Sequence, residues 1–143
     1  MSDLKGLHPN VNDRAQAGFW EAARRGQLVI EKCKPAGHVL HLPRGYCHLC
    51  DSFEVEWVPV SGQANLHTFT IVEHQVHPNF PVPYAVVLVE LDEVPGVRFL
   101  GNLPGRPELS IGMRMTVTFD ALSDTVTLPR WVPAQDTVDS STE

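Results

Sequence analysis

No stretch of this chain stays apolar for the roughly 18 residues that a membrane-crossing helix requires, so no membrane segment is expected. Positive charge is scarce and dispersed. Eleven Lys and Arg stand against seventeen Asp and Glu, the formal net charge is −6, and Arg24-Arg25 is the single adjacent basic pair. Nucleic-acid binders gain most of their affinity from clustered cations facing phosphates, so this balance argues against that class. Cysteine is limited to three residues in 143. The N-terminal MSDLKGLHPN lacks the cationic start and apolar block of a secretion leader. Few, closely spaced cysteines without a leader imply reduced thiols and a metal rather than a disulfide framework, with the cytoplasm as the default location. There is no Gly-x-Ser-x-Gly, no Gly-rich phosphate loop, and no Ser or Cys beside a base on a shaped turn. Glu90 and Asp92 alternate on an apolar strand and read as a solvated face or strand end, not as an acid–base pair. No catalytic residue is assigned, and catalysis by the chain alone is not expected.

What is present is an ordinary globular composition, 43% hydrophobic and 20% charged, in a length that suits one domain with a small appendage. Residues 1–12 read as an irregular arm. Asp13 is placed to cap a helix in which Ala15, Phe19, Trp20, Ala22 and Ala23 fall near helical spacing. Arg24 and Arg25 suit its negative end, and Gly26 stops it. Phe19 and Trp20 fix this short helix either to its own barrel or to a partner subunit. A short strand starts over Leu28 to Glu31. Beyond residue 52 the chain is strongly β: Phe53, Val55 and Trp57 share one side of a strand, and a long strand runs from Asn65 to His74, with His67 and Phe69 on one face. YAVVLVEL (84–91) is apolar enough to be buried on both faces. Pro95-Gly96 turns it into VRFLGNL, and strands at 113–119 and 125–128 form a second pair. Trp131 seals the barrel end. Five strands with Gly-punctuated turns fit a small Greek-key barrel of the OB type, although a small sandwich would read much the same.

All three cysteines lie in CKPAGHVLHLPRGYCHLC, residues 33–50. Structural zinc takes four Cys or His ligands, in pairs on tight turns with two to four residues between them. Cys47-x-x-Cys50 meets that spacing. Cys33 lies a hairpin's length upstream, but position 36, where a second cysteine would fit, is Ala36. His38 follows Gly37 and offers an imidazole, so the candidate ligand set is Cys33, His38, Cys47 and Cys50. His48 sits inside the knuckle and points outward, and His41 faces away from His38. The competing reading is a small apolar cluster of free thiols, a residue type that is commonly buried.

The order of these features resembles the DUF35 family. The resemblance covers roughly residues 15–132. It rests on the Phe19-Trp20 helix, Gly26-Gln27-Leu28, Cys33 with Gly37, His41-Leu42-Pro43-Arg44, Cys47-x-x-Cys50 and Trp57, then Ser61-Gly62, Thr68-Phe69-Thr70, the run from Pro83 to Asp92, and Ile111-Gly112-Met113. It implies a mainly β protein: an N-terminal arm and helix (1–26), a rubredoxin-like zinc-ribbon region (27–60), a five-stranded OB-fold barrel (61–133) and a disordered tail (134–143). It also implies a non-catalytic partner subunit of thiolases or lipid-transfer-protein-like aldolases, sometimes hydratases, that act on acyl-CoA thioesters, supporting assembly and CoA-substrate binding. Ala36 departs from the family pattern at the first knuckle, and Leu42 stands where one of two prolines is usual. Lys32, Lys34 and Arg44 near the ribbon are candidates to meet CoA phosphates.

The loop HQVHPNFPVP (74–83), stiffened by three prolines, is either a partner or acyl-chain contact or a plain barrel connection. Two further functions are carried. One is a stand-alone OB module that binds single-stranded nucleic acid through Phe69, Tyr84 and Phe99. The other is a free-standing thioesterase, for which the sequence offers no motif.

Overall fold

In the computed structural model, residues 7–134 are described. They form one helix, α1 (Ala17–Arg24), and seven strands: β1 (Leu28–Cys33), β2 (Val55–Val60), β3 (Gln63–Val72), β4 (Tyr84–Leu91), β5 (Arg98–Pro104), β6 (Arg114–Ala121) and β7 (Thr127–Pro133). Among the described residues, no helix is long and apolar enough to cross a membrane. Of the expected tail at 134–143, Ala134 donates its N–H to the Arg114 carbonyl at 2.9 Å, and 135–143 lie outside the described residues.

The helix starts later than Asp13 predicts. Asp13 instead closes a turn: its carbonyl accepts from the N–H groups of Gln16 and Ala17, at 3.0 and 2.8 Å, and its carboxylate accepts from Ala15 N–H at 2.8 Å. Gln16 then precedes the first helical residue without a side-chain cap. The far end follows the expectation. Gly26 has φ +74°, Gly26 N–H donates to Ala23 and Gln27 N–H to Ala22, the paired bonds of a left-handed helix stop. Ala22 and Ala23 are buried, and the helix packs on β1 and β7. At Gly18 a Cβ would lie 2.0 Å from Trp57 Nε1, so the indole rests directly on the helix backbone.

β1 and β2 pair antiparallel from Leu28 opposite Val60 to Cys33 opposite Val55. Cys33 stands at the end of β1. Phe53 does not share the face of Val55 and Trp57. It precedes β2, is exposed, and leans on Tyr46 with ring centroids 4.8 Å apart.

The other five strands run in the order β5-β4-β3-β6-β7, all antiparallel. The outer strands β5 and β7 approach each other where Gly101 has no side chain: a Cβ there would sit 3.3 Å from Trp131 Cβ. This is the closed barrel of an OB-fold. Ala64, Leu66, Val87, Val89, Met115 and Trp131 fill it. Trp131 belongs to β7 itself, a longer strand than 125–128, running through Pro129 and Pro133. Proline is tolerated where a strand needs no further N–H bond, and β7 ends the hydrogen-bonded order.

Two corrections concern strand faces. A register shift between Leu66 and Thr68 marks a bulge at His67. Alternation changes phase across it, so Ala64 and Leu66 point inward before it and Phe69 and Ile71 pack on the core after it. His67 and Phe69 therefore do not share a face. In β4, Ala85, Val87, Val89 and Leu91 are buried while Tyr84, Val86, Leu88 and Glu90 are half-buried. Only one face is core; the other is partly covered.

A candidate metal centre beside an apolar cleft

The structure brings the four candidate ligands together. Cys33 arrives at the end of β1. The chain turns through Gly37 (φ +69°), with Gly37 N–H bonded to the Cys33 carbonyl at 2.9 Å, and this delivers His38. Cys47 and Cys50 sit on a second turn closed by reciprocal backbone bonds between Cys47 and Ser52. His38 Nδ1 lies 3.4, 3.6 and 3.2 Å from the sulfurs of Cys33, Cys47 and Cys50, and Cys33 Sγ lies 3.6 Å from Cys50 Sγ. All four ligand atoms fall within 4.8 Å of one another. With bonds of about 2.3 Å to sulfur and about 2.05 Å to nitrogen, a zinc tetrahedron has edges of about 3.8 Å (S–S) and about 3.5 Å (S–N). The donor set and its spacing therefore fit a zinc ion. Cys33 and Cys47 are fully buried, while His48 is exposed and takes no part.

The surroundings shift the thiols of the cluster in opposite directions. Burial pushes the Cys33 thiol up, but backbone hydrogen bonds from Ala36 and His38 and contacts with the Cys50 and Cys47 sulfurs outweigh it and bring it down to about 6. Burial, then hydrogen bonds and charge from Cys33 and Cys47, push Cys50 up to about 11. Thiols this close compete for ionisation when no cation lies between them; a central divalent ion reverses that competition.

Sequence reasoning missed the group that holds the second turn. Glu31 in β1 is 2% exposed, and its Oε1 accepts from the backbone N–H groups of both Arg44 and Gly45, at 2.9 Å each. Its backbone carbonyl takes Leu40 N–H. One buried carboxylate thus ties the chain between His38 and Cys47 to β1. The available signal is a lone acid in the otherwise apolar start of the strand LVIEKC. Further on, Tyr46 O–H donates to the Asp51 carboxylate, across the turn that Asp51 enters with φ +52°.

The three cations proposed for CoA phosphates are spread over the ribbon. Lys34 and Arg44 are exposed and Lys32 is half-buried. None of them lines the cleft that opens beside the metal centre. That cleft, about 460 Å³, lies between α1, the ribbon and the barrel. Phe19, Trp20, Trp57 and Phe99 give it aromatic walls, and Leu88 and Leu100 belong to the barrel side. His41, Leu42 and Pro43, from the chain between His38 and Cys47, supply the remaining wall. His41 Nε2 bonds the Arg98 carbonyl at 2.8 Å, so it faces the barrel and not the metal centre. Phe19 stacks on Phe99 with centroids 6.1 Å apart, which fixes the helix to this chain's own barrel. Phe69 and Phe99 pack on the core, and Tyr84 lies against Phe80. In the 74–83 loop, His77 Nδ1 accepts from Asn79 N–H, and Phe80 and Pro81 line a cavity of about 170 Å³ with Leu7 and Pro9 of the arm.

Residues 20–56 match the family profile of the ChsH2 rubredoxin-like zinc ribbon domain, and residues 57–120 match that of the ChsH2 C-terminal OB-fold domain. The chain superposes on the solved Ltp2-ChsH2(DUF35) aldolase with a TM-score of 0.78 and 33% identity, covering 88% of this chain and 98% of that one. This chain belongs to the DUF35 family. A DUF35-family protein of unknown function from Sulfolobus solfataricus shares the fold at 16% identity, with a TM-score of 0.58 over 87% of this chain and 89% of that one. Two curated relatives extend the DUF35 likeness. The "Probable enoyl-CoA hydratase alpha subunit" of Thermomonospora curvata is 34% identical over 133 residues, 91% of this chain. The 3-oxo-4,17-pregnadiene-20-carboxyl-CoA hydratase alpha subunit of Mycobacterium tuberculosis is 30% identical over 124 residues, 85% of this chain. The matched regions span 41% and 39% of those two proteins, so this DUF35 chain corresponds to about two fifths of their length.

Proposed function

We propose that this chain is a non-catalytic accessory subunit of an acyl-CoA-processing enzyme, an aldolase of the lipid-transfer-protein type or a thiolase. The observation that carries this reading is the superposition on 98% of a chain solved in an aldolase that pairs Ltp2 with a ChsH2 DUF35 part. The names of the two curated relatives, both alpha subunits of CoA-thioester hydratases, support the substrate class and keep a hydratase among the partners. In this reading the partner supplies the reacting groups. The DUF35 chain supplies a rigid body that holds the partner and one side of the thioester site.

Cys33, His38, Cys47 and Cys50 hold a zinc ion in this proposal. A centre with four protein ligands has no open position for substrate, so its role is structural. Bound there, zinc clamps the two turns and fixes the chain between them. Lys32, Lys34 and Arg44 meet CoA phosphates at a site shared with the partner, where ionic hydrogen bonds to phosphate are strong.

Native mass spectrometry of the protein, purified gently from its own cells without chelator, tests both parts. Travel with an aldolase- or thiolase-sized partner, with a zinc mass on this chain, is the expected result. A chain that emerges alone from repeated gentle preparations overturns the accessory reading, and a metal-free chain overturns the zinc centre.

A further inference from the structure

Counted along the barrel, β3 to β7 are strands one to five. The loop 73–83 joins the first two and the loop 122–126 joins the last two. OB-folds take ligands between these two loops, over the second and third strands. Here the chain's own arm lies in that place. Leu7 and Pro9 line a groove with Phe80 of the first loop, Leu122 of the second, and Tyr84 and Pro104 of β4 and β5. The rings of Phe80 and Tyr84 stand with centroids 6.1 Å apart.

The arm is held there by little. Among the described residues, no hydrogen bond joins residues 7–12 to the barrel, and Asn12 N–H turns back to Asn10 Oδ1 at 3.1 Å. Leu7 is still 36% exposed. Beside the arm about 170 Å³ is left open, room for on the order of five water-sized groups. A loosely seated apolar segment over unfilled space is one that a better-fitting segment can replace.

The walls say what kind of segment that is. The open volume is below the roughly 300–1,000 Å³ of small-molecule sites, so it suits a few side chains of a longer chain. Arg130 in the wall is already paired with Asp120 at 2.9 Å, which leaves its charge engaged and disfavours a phosphate-bearing occupant. Aromatic rings set among prolines bind proline-bearing segments, which arrive stiff and lose little entropy on docking. The resident Leu7-His8-Pro9 has that chemistry. Asn102, also in the wall, carries an amide that can donate to and accept from an occupant's backbone.

We propose that this groove is a docking site for a Leu-x-Pro segment of a partner protein, and that the arm is its tethered competitor. The arm is a strap. It covers the aromatic groove when the chain is alone, and it leaves when the partner's segment takes the seats of Leu7 and Pro9. A second copy of this chain is a poor source of the segment. Its arm is identical and fills the groove no better, whereas the tethered arm competes at an effective concentration on the order of 1 mM. The groove is separate from the cleft beside the metal centre, and the proposal stands or falls independently of the acyl-CoA reading.

The probe is a fluorescein-labelled peptide of this chain's residues 4–12, LKGLHPNVN, followed by anisotropy. It is titrated into the full chain and into the full-length variant Leu7→Ser/Pro9→Ser, which empties the two seats. For a peptide that binds the emptied groove with Kd of about 0.1 mM, an arm at about 1 mM lowers the apparent affinity about tenfold. The expected result is therefore saturable binding to the variant, and binding to the parent chain about tenfold weaker. A peptide with serine in place of its leucine and proline, LKGSHSNVN, should not bind. Phe80→Ser added to the arm variant should abolish binding of the first peptide, with an unchanged melting temperature as the check on folding.

Equal affinity for the parent chain and the arm variant overturns the proposal, because the arm then does not compete. So does the absence of saturation in the arm variant up to about 1 mM, or equal binding of the serine peptide. Sedimentation closes the remaining route. A parent chain that dimerises at about 0.1 mM, and an arm variant that does not, would make the groove a seat for exchanged arms and overturn the assignment to a partner protein.

Discussion

Ala36 lies exposed on the first turn of the ribbon, and the imidazole of His38 reaches the sulfur cluster from two positions further along. Gly37 allows this, because its positive φ swings the chain back so that His38 N–H also donates to Cys33 Sγ at 3.1 Å. A longer side chain two residues later thus fills the corner that a cysteine at 36 would have taken. Each of the remaining ligands then has no substitute. Cys47→Ser keeps the size but replaces a soft thiolate by a hydroxyl in a fully buried position. We expect zinc affinity to fall by more than about a hundredfold, beyond the ~10–100-fold that follows the loss of a supporting hydrogen bond alone. Metal analysis of the purified variant should find the zinc gone and the melting temperature lowered; unchanged metal content and melting would remove Cys47 from the centre. That Cys33, His38, Cys47 and Cys50 come together was readable from spacing, because metal chemistry limits the residue types and separations. Glu31 was not readable as the residue that ties down the second turn. Its role depends on two backbone amides thirteen and fourteen residues away, and backbone groups leave no mark in a sequence.

At the scale of elements, the chain from His38 to Cys47 serves two structures at once. Its ends carry the candidate ligands His38 and Cys47, and its middle, His41 to Pro43, is a wall of the cleft. The turns themselves own little buried apolar surface: Cys33, Leu40 and Cys47, with Cys50 and Val55 packed beside them. A region with so small a core would owe its order to a metal held by the cluster, whereas the barrel has its own core of Val, Leu, Ala, Met and Trp. Chelation should therefore loosen residues 34–54 selectively. Hydrogen exchange after zinc removal is expected to speed up there by about tenfold or more and to leave β3, β4 and β6 unchanged. Uniform protection in both regions would mean that hydrogen bonds, including those to Glu31, hold the ribbon without metal.

Strand existence was legible from alternation and turn residues, and strand detail was not. Periodicity cannot show a bulge, and unbroken alternation places His67 on the face of Phe69. Nor can it show that Pro129 and Pro133 sit in a strand at the end of the ladder order, where their missing N–H groups are tolerated. The apolar run of β4 suggested burial on both faces. In the structure its second face is covered in part by the ribbon and helix, with Leu88 left facing the cleft.

Across the whole molecule, the barrel's outer surface is stitched by ion pairs between strands. Glu90 and Arg98 are directly opposed on β4 and β5. Asp120 meets Arg130 across β6 and β7 at 2.9 Å. Asp92, just beyond β4, takes both terminal nitrogens of Arg114 on β6. The sequence shows Glu90 and Asp92 as solvated acids because their partners lie on other strands, Arg98 across the β4–β5 hairpin and Arg114 on β6, and alternation along one strand does not name them. Excess negative charge makes these few cations matter, since eleven basic residues must serve seventeen acids. Hydrogen bonding to the Arg114 guanidinium holds the Asp92 carboxyl below its usual range; burial opposes it, and the direct charge attraction of Arg114 adds a smaller lowering. A carboxyl whose folded pKa lies below its unfolded value stabilises the fold fully above the unfolded pKa. That increment is lost as the pH falls through the folded pKa. With Asp92 34% and Arg114 47% exposed, solvent screening keeps the increment under about 1 kcal/mol. Denaturant unfolding at pH 7 and at pH 3 should therefore show Asp92→Asn less stable than the parent chain at pH 7. At pH 3 the difference should shrink, because the parent's carboxyl is then being neutralised too. An equal difference at both pH values would assign the loss to packing at the end of β4. A difference that vanishes in high salt at pH 7 would place it in the Asp92–Arg114 charge pair.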